Sequence, residues 1–220
     1  MPQLFSRSAD TFFRLALLCC VGLVCVVVGG LLTVVRSPYI TGEGVRVKQQ
    51  VPFSHEHHVA DIGIDCRYCH QTVETSASAG VPSTEICMNC HNELWKQEDM
   101  LAPVRASFRE DTPLVWERVH DLPDYVFFNH SIHVKKGVGC YECHGRIDEM
   151  PLVSQAQPLT MQWCLDCHRN PVPHLRPAEL VFEPQPLKEL VPQENVSDLV
   201  ADLAIQNHVQ SKMDCYSCHR

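Results

Sequence analysis

Five CxxC pairs, each followed directly by histidine, set the strongest constraint on what this chain can fold into. A histidine after all five pairs has odds of about one in a million by chance. Such a segment offers two thiols for thioether bonds to a haem and one imidazole for its iron. The motif therefore predicts five covalently bound haem c groups. In chain order we number them site 1 (Cys66, Cys69, His70), site 2 (Cys87, Cys90, His91), site 3 (Cys140, Cys143, His144), site 4 (Cys164, Cys167, His168) and site 5 (Cys215, Cys218, His219).

Two other uses of paired cysteines fit this pattern less well. An oxidising compartment would allow the pairs to form disulfides. Four of the pairs could instead build two zinc sites, because zinc accepts four thiolates. Neither use explains a histidine after every second cysteine, so both alternatives rank below haem attachment.

Five further histidines stand upstream of these motifs in a repeated arrangement. His55 and His58 precede site 1, His130 and His133 precede site 3, and His208 precedes site 5. The first two pairs share the form FxHxxH, and His58, His133 and His208 are each followed by valine. The match in number predicts a second axial ligand for each haem. We expect His55 and His130 to ligate the next site downstream, His58 and His133 more distant sites, and His208 the fifth.

Three histidines and three methionines leave part of the ligand set open. His57 could replace His58, although the valine that follows favours His58. His120 and His174 are expected to be hydrogen-bonded structural residues or partners of haem propionates. Methionine more often serves as packing, but an axial methionine remains an alternative at Met100, Met150 or Met161.

Residues 1–36 are predicted to be a signal anchor that spans the membrane once. Leu15 to Val35 runs for 21 residues without a charge, which as a helix is about 31 Å and crosses the hydrocarbon layer. Arg7 and Arg14 favour a cytoplasmic N-terminus. Because c-type haems are fitted outside the cytoplasmic membrane, the haem domain is expected on the periplasmic side. Small apolar packing is the expected role of Cys19, Cys20 and Cys25.

The remaining residues are predicted to form a linker, 37–51, and a pentahaem domain, 52–220. Within that domain we distinguish three modules, 53–91, 128–168 and 205–220. One helix is expected near 92–101, and the six prolines of 171–192 predict an extended, semi-rigid arm. The expected fold is one of short helices and loops around five haems, since porphyrin faces replace much of the side-chain core. The net charge of −8 argues against nucleic-acid binding.

The FxHxxH–spacer–CxxCH units resemble the class III multihaem cytochromes of the c3 and c7 type. A fuller pattern is similar to the pentahaem subunit of bacterial alternative complex III: an N-terminal membrane helix, five CxxCH sites, Trp-Glu-Arg-Val-His at 116–120, Leu-Pro at 122–123 and Thr-Met-Gln-Trp-Cys at 160–164. The resemblance covers nearly the whole chain. It implies a respiratory electron carrier rather than a catalyst on its own. The implied partners are an iron–sulfur/molybdopterin-like subunit and polytopic membrane subunits that oxidise quinol, and a monohaem cytochrome c or copper protein as acceptor.

Two other functional classes share part of the pattern. A stand-alone, membrane-anchored quinol dehydrogenase of the small tetrahaem type also has one helix and several haems, but it carries four. A multihaem reductase needs an open iron, often with lysine in place of one CxxCH histidine, and all five motifs here retain histidine.

Overall fold

The computed structural model describes residues 6–219, so residues 1–5 of the predicted anchor and Arg220 lie outside the described residues. It divides into a short N-terminal unit that ends at Gly42 and a larger unit that begins at Glu43. Within the described residues the α-helices are α1 Arg7–Val35, α2 Pro38–Thr41, α3 Cys66–Cys69, α4 Thr84–His91, α5 Ala102–Glu110, α6 His130–Lys135, α7 Cys140–His144, α8 Met161–Arg169, α9 Leu187–Leu190 and α10 Gln193–Gln206.

The N-terminal unit is dominated by α1, which begins well before the apolar run. Ser6 caps the helix by accepting a hydrogen bond from the Ala9 amide (3.3 Å). An ion pair between Asp10 and Arg14 (2.9 Å) lies one turn further along. With 29 residues, α1 is about 44 Å long. Within Ser8–Val35, an 18-residue window has a mean hydropathy of 2.9, so the helix is long and apolar enough to cross a membrane.

Helical turns form at all five CxxCH motifs, as the sequence predicts. Sites 1 to 4 lie on α3, α4, α7 and α8, and site 5 lies on a 3-10 turn, Cys215–Ser217. Polar side chains cap several of these turns. Asp65 accepts from the Arg67 amide (2.8 Å), and Thr160 accepts from the Trp163 amide (3.3 Å). Such caps satisfy amides that have no partner inside a short helix.

The larger unit consists of short helices and loops with a small side-chain core. Across residues 6–219, β-pairing is limited to isolated bridges such as Val126 with His219. Its hydrophobic cluster centres on Val51, Leu101 and Val104, with Trp116 packed against it. The prediction of a domain of short helices and loops is therefore confirmed.

Residues 92–101 do not form the predicted helix. Trp95 has a φ of 55°, in the left-handed region that interrupts an α-helix of L-residues. A 3-10 turn, Asp99–Leu101, follows, and α5 begins only at Ala102 with a proline in its first turn. Proline is well suited to that position because its missing amide would be unpaired there.

The proline-rich segment 171–192 is a packed structure rather than the predicted extended arm. It contains 3-10 turns at Val172–His174 and Ala178–Leu180 in addition to α9. The physical reason is Arg176, which is only 1% exposed. The Nη1 atom of its guanidinium donates to three backbone carbonyls in the same segment, those of Leu180 (3.4 Å), Glu183 (3.0 Å) and Gln185 (3.1 Å).

Candidate haem sites

Four pairs of histidine rings face one another in the larger unit. A metal–imidazole bond is about 2 Å long and the nitrogen lies about 1.1 Å from its ring centroid, so two imidazoles on opposite sides of one metal ion have centroids about 6.2 Å apart. The observed spacings fit one iron between each pair. They are His55–His70 (6.5 Å), His130–His144 (6.5 Å), His58–His91 (6.1 Å) and His133–His168 (6.1 Å).

Each pair joins one CxxCH histidine with one upstream histidine. His55 and His130 lie opposite the sites that follow directly, which are sites 1 and 3. His58 and His133 lie opposite the second site of each module, which are sites 2 and 4. The structure thus brings together four of the five expected partnerships. That these residues ligate iron stays a prediction.

The phenylalanine of FxHxxH positions both histidines of its unit. Phe53 meets His55 edge-on (4.9 Å between centroids) and stacks on His58 (4.3 Å). Phe128 contacts its two histidines in the same two ways, at 4.7 and 4.6 Å. Such aromatic contacts restrict how the rings can turn. The repeated phenylalanine was the sequence signal for this arrangement.

Hydrogen bonds at Nδ1 leave Nε2 of most of these histidines free to bind a metal. A carbonyl oxygen can only accept, so an Nδ1 bonded to it carries the proton and Nε2 keeps its lone pair for a metal. Six rings make such a bond, with acceptors as follows: His58 to Ser54 (2.8 Å), His70 to Gly80 (2.7 Å), His91 to Leu94 (3.1 Å), His130 to Ala77 (2.9 Å), His133 to Asn129 (2.8 Å) and His219 to Tyr125 (3.2 Å).

Burial favours the neutral imidazole, which is the form that binds a metal. It lowers the pKa of His55 to about 4 and that of His144 to about 3. The nearby His70 and His120, respectively, contribute further to these low pKa values. At site 3, burial also raises the pKa of both Cys140 and Cys143 to about 12. Site 3 is therefore well enclosed, and its donor set fits haem c.

Site 5 lacks the expected pairing. The His219 ring lies 5.7 Å from the Tyr125 ring. His208 is exposed, and no ring contact joins it to His219 within residues 6–219. A long-range contact fixes the chain next to His208: Lys136 Nζ donates to the Asn207 carbonyl (2.6 Å), which ties the end of α10 to α6. Ligation of site 5 by His208 stays a prediction.

The remaining histidines all have polar or aromatic partners. His57 stacks on Trp95 (5.3 Å), and His174 bonds to Glu142 (2.7 Å), which raises its pKa. His120 bonds to the Nδ1 atom of His144 (3.2 Å). The expectation that His120 and His174 are hydrogen-bonded is confirmed.

Two of the three methionine candidates, Met100 and Met161, are exposed, at 47% and 63%. Met150 is half-buried, and its carbonyl accepts from the amides of His55 (3.1 Å) and Glu56 (3.2 Å). Its sulfur is 4.0 Å from the Ser154 hydroxyl. The methionine alternative therefore stays open, with Met150 bonded through its backbone to a histidine of one pair.

An ion pair inside site 3 could not be predicted from the motif. Glu142, between the two cysteines, contacts Nη2 of the buried Arg176 (3.2 Å). A Cβ atom at Gly139, directly before the first cysteine, would collide with the same guanidinium. The proline-rich segment thus holds the attachment loop of site 3. Glutamate next to CxxCH cysteines was the available signal, but nothing in the sequence pointed to its partner.

Each FxHxxH unit also connects the two sites of its own module, because its two histidines lie opposite different sites. In the first module, Asn89 of site 2 donates to the Tyr68 hydroxyl of site 1 (3.1 Å). In the second module, His130 and His133 lie one turn apart on α6 and face sites 3 and 4.

The two modules meet at sites 1 and 3. The carbonyl of Ala77, in the loop after site 1, accepts from His130, which faces site 3. The first cysteines of the two sites also bond to adjacent carbonyls, Cys66 Sγ to Phe182 (3.6 Å) and the Cys140 amide to Val181 (3.1 Å).

Site 5 connects to site 4. Ser211, shortly before site 5, donates to the carbonyl of His168 (2.7 Å). Taken together, these contacts link the sites in the order 2, 1, 3, 4, 5, which differs from their order in the chain.

A fold of short helices with paired histidines at CxxCH motifs defines the multihaem c-type cytochromes. Residues 51–103, which contain sites 1 and 2, match the family model for cytochrome c7 and related cytochrome c. This segment is therefore similar to cytochrome c7, a family that implies covalently bound haem c. The predicted likeness to class III cytochromes is confirmed.

A curated relative is the multiheme cytochrome c subunit of a menaquinone reductase from Nitratidesulfovibrio vulgaris (strain Hildenborough). The two proteins are 35% identical over 98 residues, which are 44% of this chain and 46% of the relative. The chain thus spans about half the length of the curated relative it matches. The more specific likeness to alternative complex III stays a prediction.

Proposed function

We propose that this protein is the electron-transfer subunit of a membrane complex that exchanges electrons with the quinone pool. The observation that carries the proposal is the set of four histidine pairs at 6.1 to 6.5 Å, each containing a CxxCH histidine. Haem held by two imidazoles exchanges single electrons without an open position for a substrate. The chain holds these rings in place through Nδ1 bonds and phenylalanine contacts. This suits a relay and not a reductase.

The contacts between sites support a single file in the order 2, 1, 3, 4, 5. In that file, sites 1, 3 and 4 each have two neighbours, and sites 2 and 5 have one. Entry and exit of electrons are therefore assigned to sites 2 and 5. Their cysteines Cys90 and Cys215 are solvent-exposed, which agrees with positions at the ends.

In its finer form, the proposal assigns the subunit to a complex of the alternative complex III type. The helix α1 anchors the domain on the periplasmic side of the bacterial membrane. Iron–sulfur/molybdopterin-like and polytopic membrane subunits oxidise quinol, and five haem c groups pass the electrons to a monohaem cytochrome c or a copper protein. The five motifs, the apolar helix and the motif at 116–120 support this assignment.

A second candidate reverses the direction of flow. The curated relative is named as a subunit of a menaquinone reductase. By analogy, this chain would carry electrons from a periplasmic donor towards quinone. The relay inside the subunit is the same in both cases, so the partners and the reduction potentials decide between them.

Purification of the complex in mild detergent tests both candidates. Copurification of an iron–sulfur/molybdopterin-like subunit with polytopic membrane proteins is expected. Quinol-driven reduction of a periplasmic acceptor would support the first direction, and donor-driven reduction of menaquinone the second. Quinol oxidation by the isolated subunit without partners would instead favour the stand-alone dehydrogenase.

The haem count tests the relay itself. Intact mass and a pyridine haemochrome assay should give five covalent haems. The double variant Cys215→Ala/Cys218→Ala should give four, with the other sites retained. Four haems in the unmodified protein would contradict the proposal and favour the tetrahaem class.

A further inference from the structure

His120 contacts His144, the histidine of site 3, in a geometry that excludes it as a second iron ligand. The two ring centroids are 4.3 Å apart at 71°, and His120 Nε2 lies 3.2 Å from His144 Nδ1. Two rings on opposite sides of one iron require about 6.2 Å. His130 satisfies that requirement at 6.5 Å. His120 therefore acts on the outer nitrogen of His144.

The position of His120 is set by contacts outside the site. Trp116 packs against the hydrophobic cluster of Val51 and Leu101. The side chain of Gln49 pairs with both the amide and the carbonyl of Glu117, each at 2.9 Å. These two anchors place the chain three residues before His120. In the motif Trp-Glu-Arg-Val-His at 116–120, the first two residues are therefore fixed by packing and hydrogen bonds, and the last supplies the imidazole that contacts site 3.

Site 1 provides an internal comparison with site 3. Its pair, His55 and His70, has the same centroid distance of 6.5 Å and nearly parallel rings. The outer nitrogen of His70, however, donates to the backbone carbonyl of Gly80 (2.7 Å). His91 and His219 also use backbone carbonyls. At site 3 the acceptor is a side chain, which can be substituted, whereas at sites 1, 2 and 5 it is a backbone carbonyl.

We propose that His120 is a positioning residue for site 3, which accepts a hydrogen bond from His144 Nδ1 and thereby orients and strengthens that ligand. The inference rests on the iron ligation by His144 proposed above. Since His144 must then keep its proton on Nδ1, His120 carries its own proton on Nδ1 as well. An acceptor at the outer nitrogen makes the imidazole more basic, which stabilises ferric iron and lowers the reduction potential.

Two substitutions of His120 separate the hydrogen bond from packing. His120→Leu fills similar space without an acceptor, and His120→Gln retains a carbonyl oxygen. Both are made in the full chain in detergent, and five haems are verified first. In redox titrations followed by absorbance and electron paramagnetic resonance, His120→Leu should raise the potential of one haem and leave four unchanged. His120→Gln should stay close to the unmodified protein.

Equal shifts in both variants would reduce the role of His120 to packing, and no shift in either would also overturn the inference. A fully assembled five-haem protein with unaltered potentials would refute only this proposal. Fewer than five haems in the unmodified protein would instead refute the proposed function.

The unmodified protein offers an independent measurement if His120→Leu does not assemble. In reduced protein labelled with ¹⁵N-histidine, long-range ¹H–¹⁵N spectra report which ring nitrogen carries the proton. His120 should be neutral with its proton on Nδ1 and its Nε2 unprotonated. A proton on Nε2 of His120 would mean that it donates to His144, and would overturn the inference.

Discussion

The angle between the two imidazole planes on one iron predicts the magnetic signature of these sites. Parallel planes split the iron dπ orbitals and give a rhombic low-spin signal, whereas perpendicular planes leave them nearly degenerate and give a highly anisotropic one. The pairs at sites 1 and 3 are inclined by 2° and 12°. Those at sites 2 and 4 are inclined by 66° and 69°. The oxidised protein should therefore show both signals, with two haems of sites 1 to 4 in each class.

Substitutions at His130 and His133 make this prediction quantitative. His130 belongs to a near-parallel pair, so His130→Ala should remove half of the rhombic intensity that sites 1 to 4 contribute. His133 belongs to a near-perpendicular pair, so His133→Ala should remove half of the anisotropic intensity that these sites contribute. Each variant should convert one haem of five to high spin. The two residues lie one turn apart on α6, so each variant is a matched control for the other.

Spin quantification by electron paramagnetic resonance, normalised to haem content, provides the assay. A general disturbance of α6 would lower both signals in both variants. Loss of anisotropic intensity on removal of His130, or of rhombic intensity on removal of His133, would refute the pairing. A single class of signal in the unmodified protein would refute the ring orientations.

Three further predictions concern stability. Arg176→Met should lower the free energy of unfolding by about 3–5 kcal/mol in denaturant titrations, because it leaves Glu142 and three carbonyls without this buried cation. An exposed ion pair contributes less than about 1 kcal/mol, so a change below that value would contradict the prediction. Gly139→Ala should lower the free energy of unfolding by about 1–3 kcal/mol in the same titrations, since the added Cβ collides with the Arg176 guanidinium. An unchanged unfolding transition would show that the loop can move to make room, and would contradict this prediction. Burial lowers the pKa of His55 to about 4 from 6.5, and the proposed iron ligation would also keep its ring unprotonated, so the unfolded chain takes up this proton first. The thermal midpoint should therefore fall as the pH drops from 6.5 towards 4, and a constant midpoint at fixed ionic strength would refute that.

Most of the structure that the sequence predicted correctly is determined by local motifs. A CxxCH segment fits one helical turn, so the short helices at the sites follow from the motif itself. The repeated FxHxxH unit also carries its own geometry, because its phenylalanine contacts both histidines within six residues. The apolar run of α1 needed no tertiary information. Its additional turns came from the cap at Ser6 and the pair Asp10–Arg14.

Long-range contacts account for what the sequence left unpredicted. The proline-rich segment folds around the buried Arg176 and buried apolar residues such as Leu175 and Val181, and composition cannot reveal that Arg176 meets Glu142. His208 matches the repeat in spacing, but the contact between Lys136 and Asn207 sets its surroundings. His120 has no motif that relates it to site 3. In each case the deciding partner lies more than 20 residues away in the chain.

The pairing of each FxHxxH unit with two different sites explains how a unit with so small a hydrophobic core can hold sites 1 to 4 in a defined order. Each FxHxxH unit contributes to two sites, so in the proposed relay the attachment of one haem would constrain the ligand of another. The modules are then joined at sites 1 and 3, where His130 bonds to the loop after site 1 and where residues 181–182 bond to both first cysteines. Loss of a site in the middle of the file should therefore disturb its neighbours, whereas loss of site 5 should leave the other four largely intact. The same contacts that hold the domain together also set the order of the sites along the proposed route of electrons.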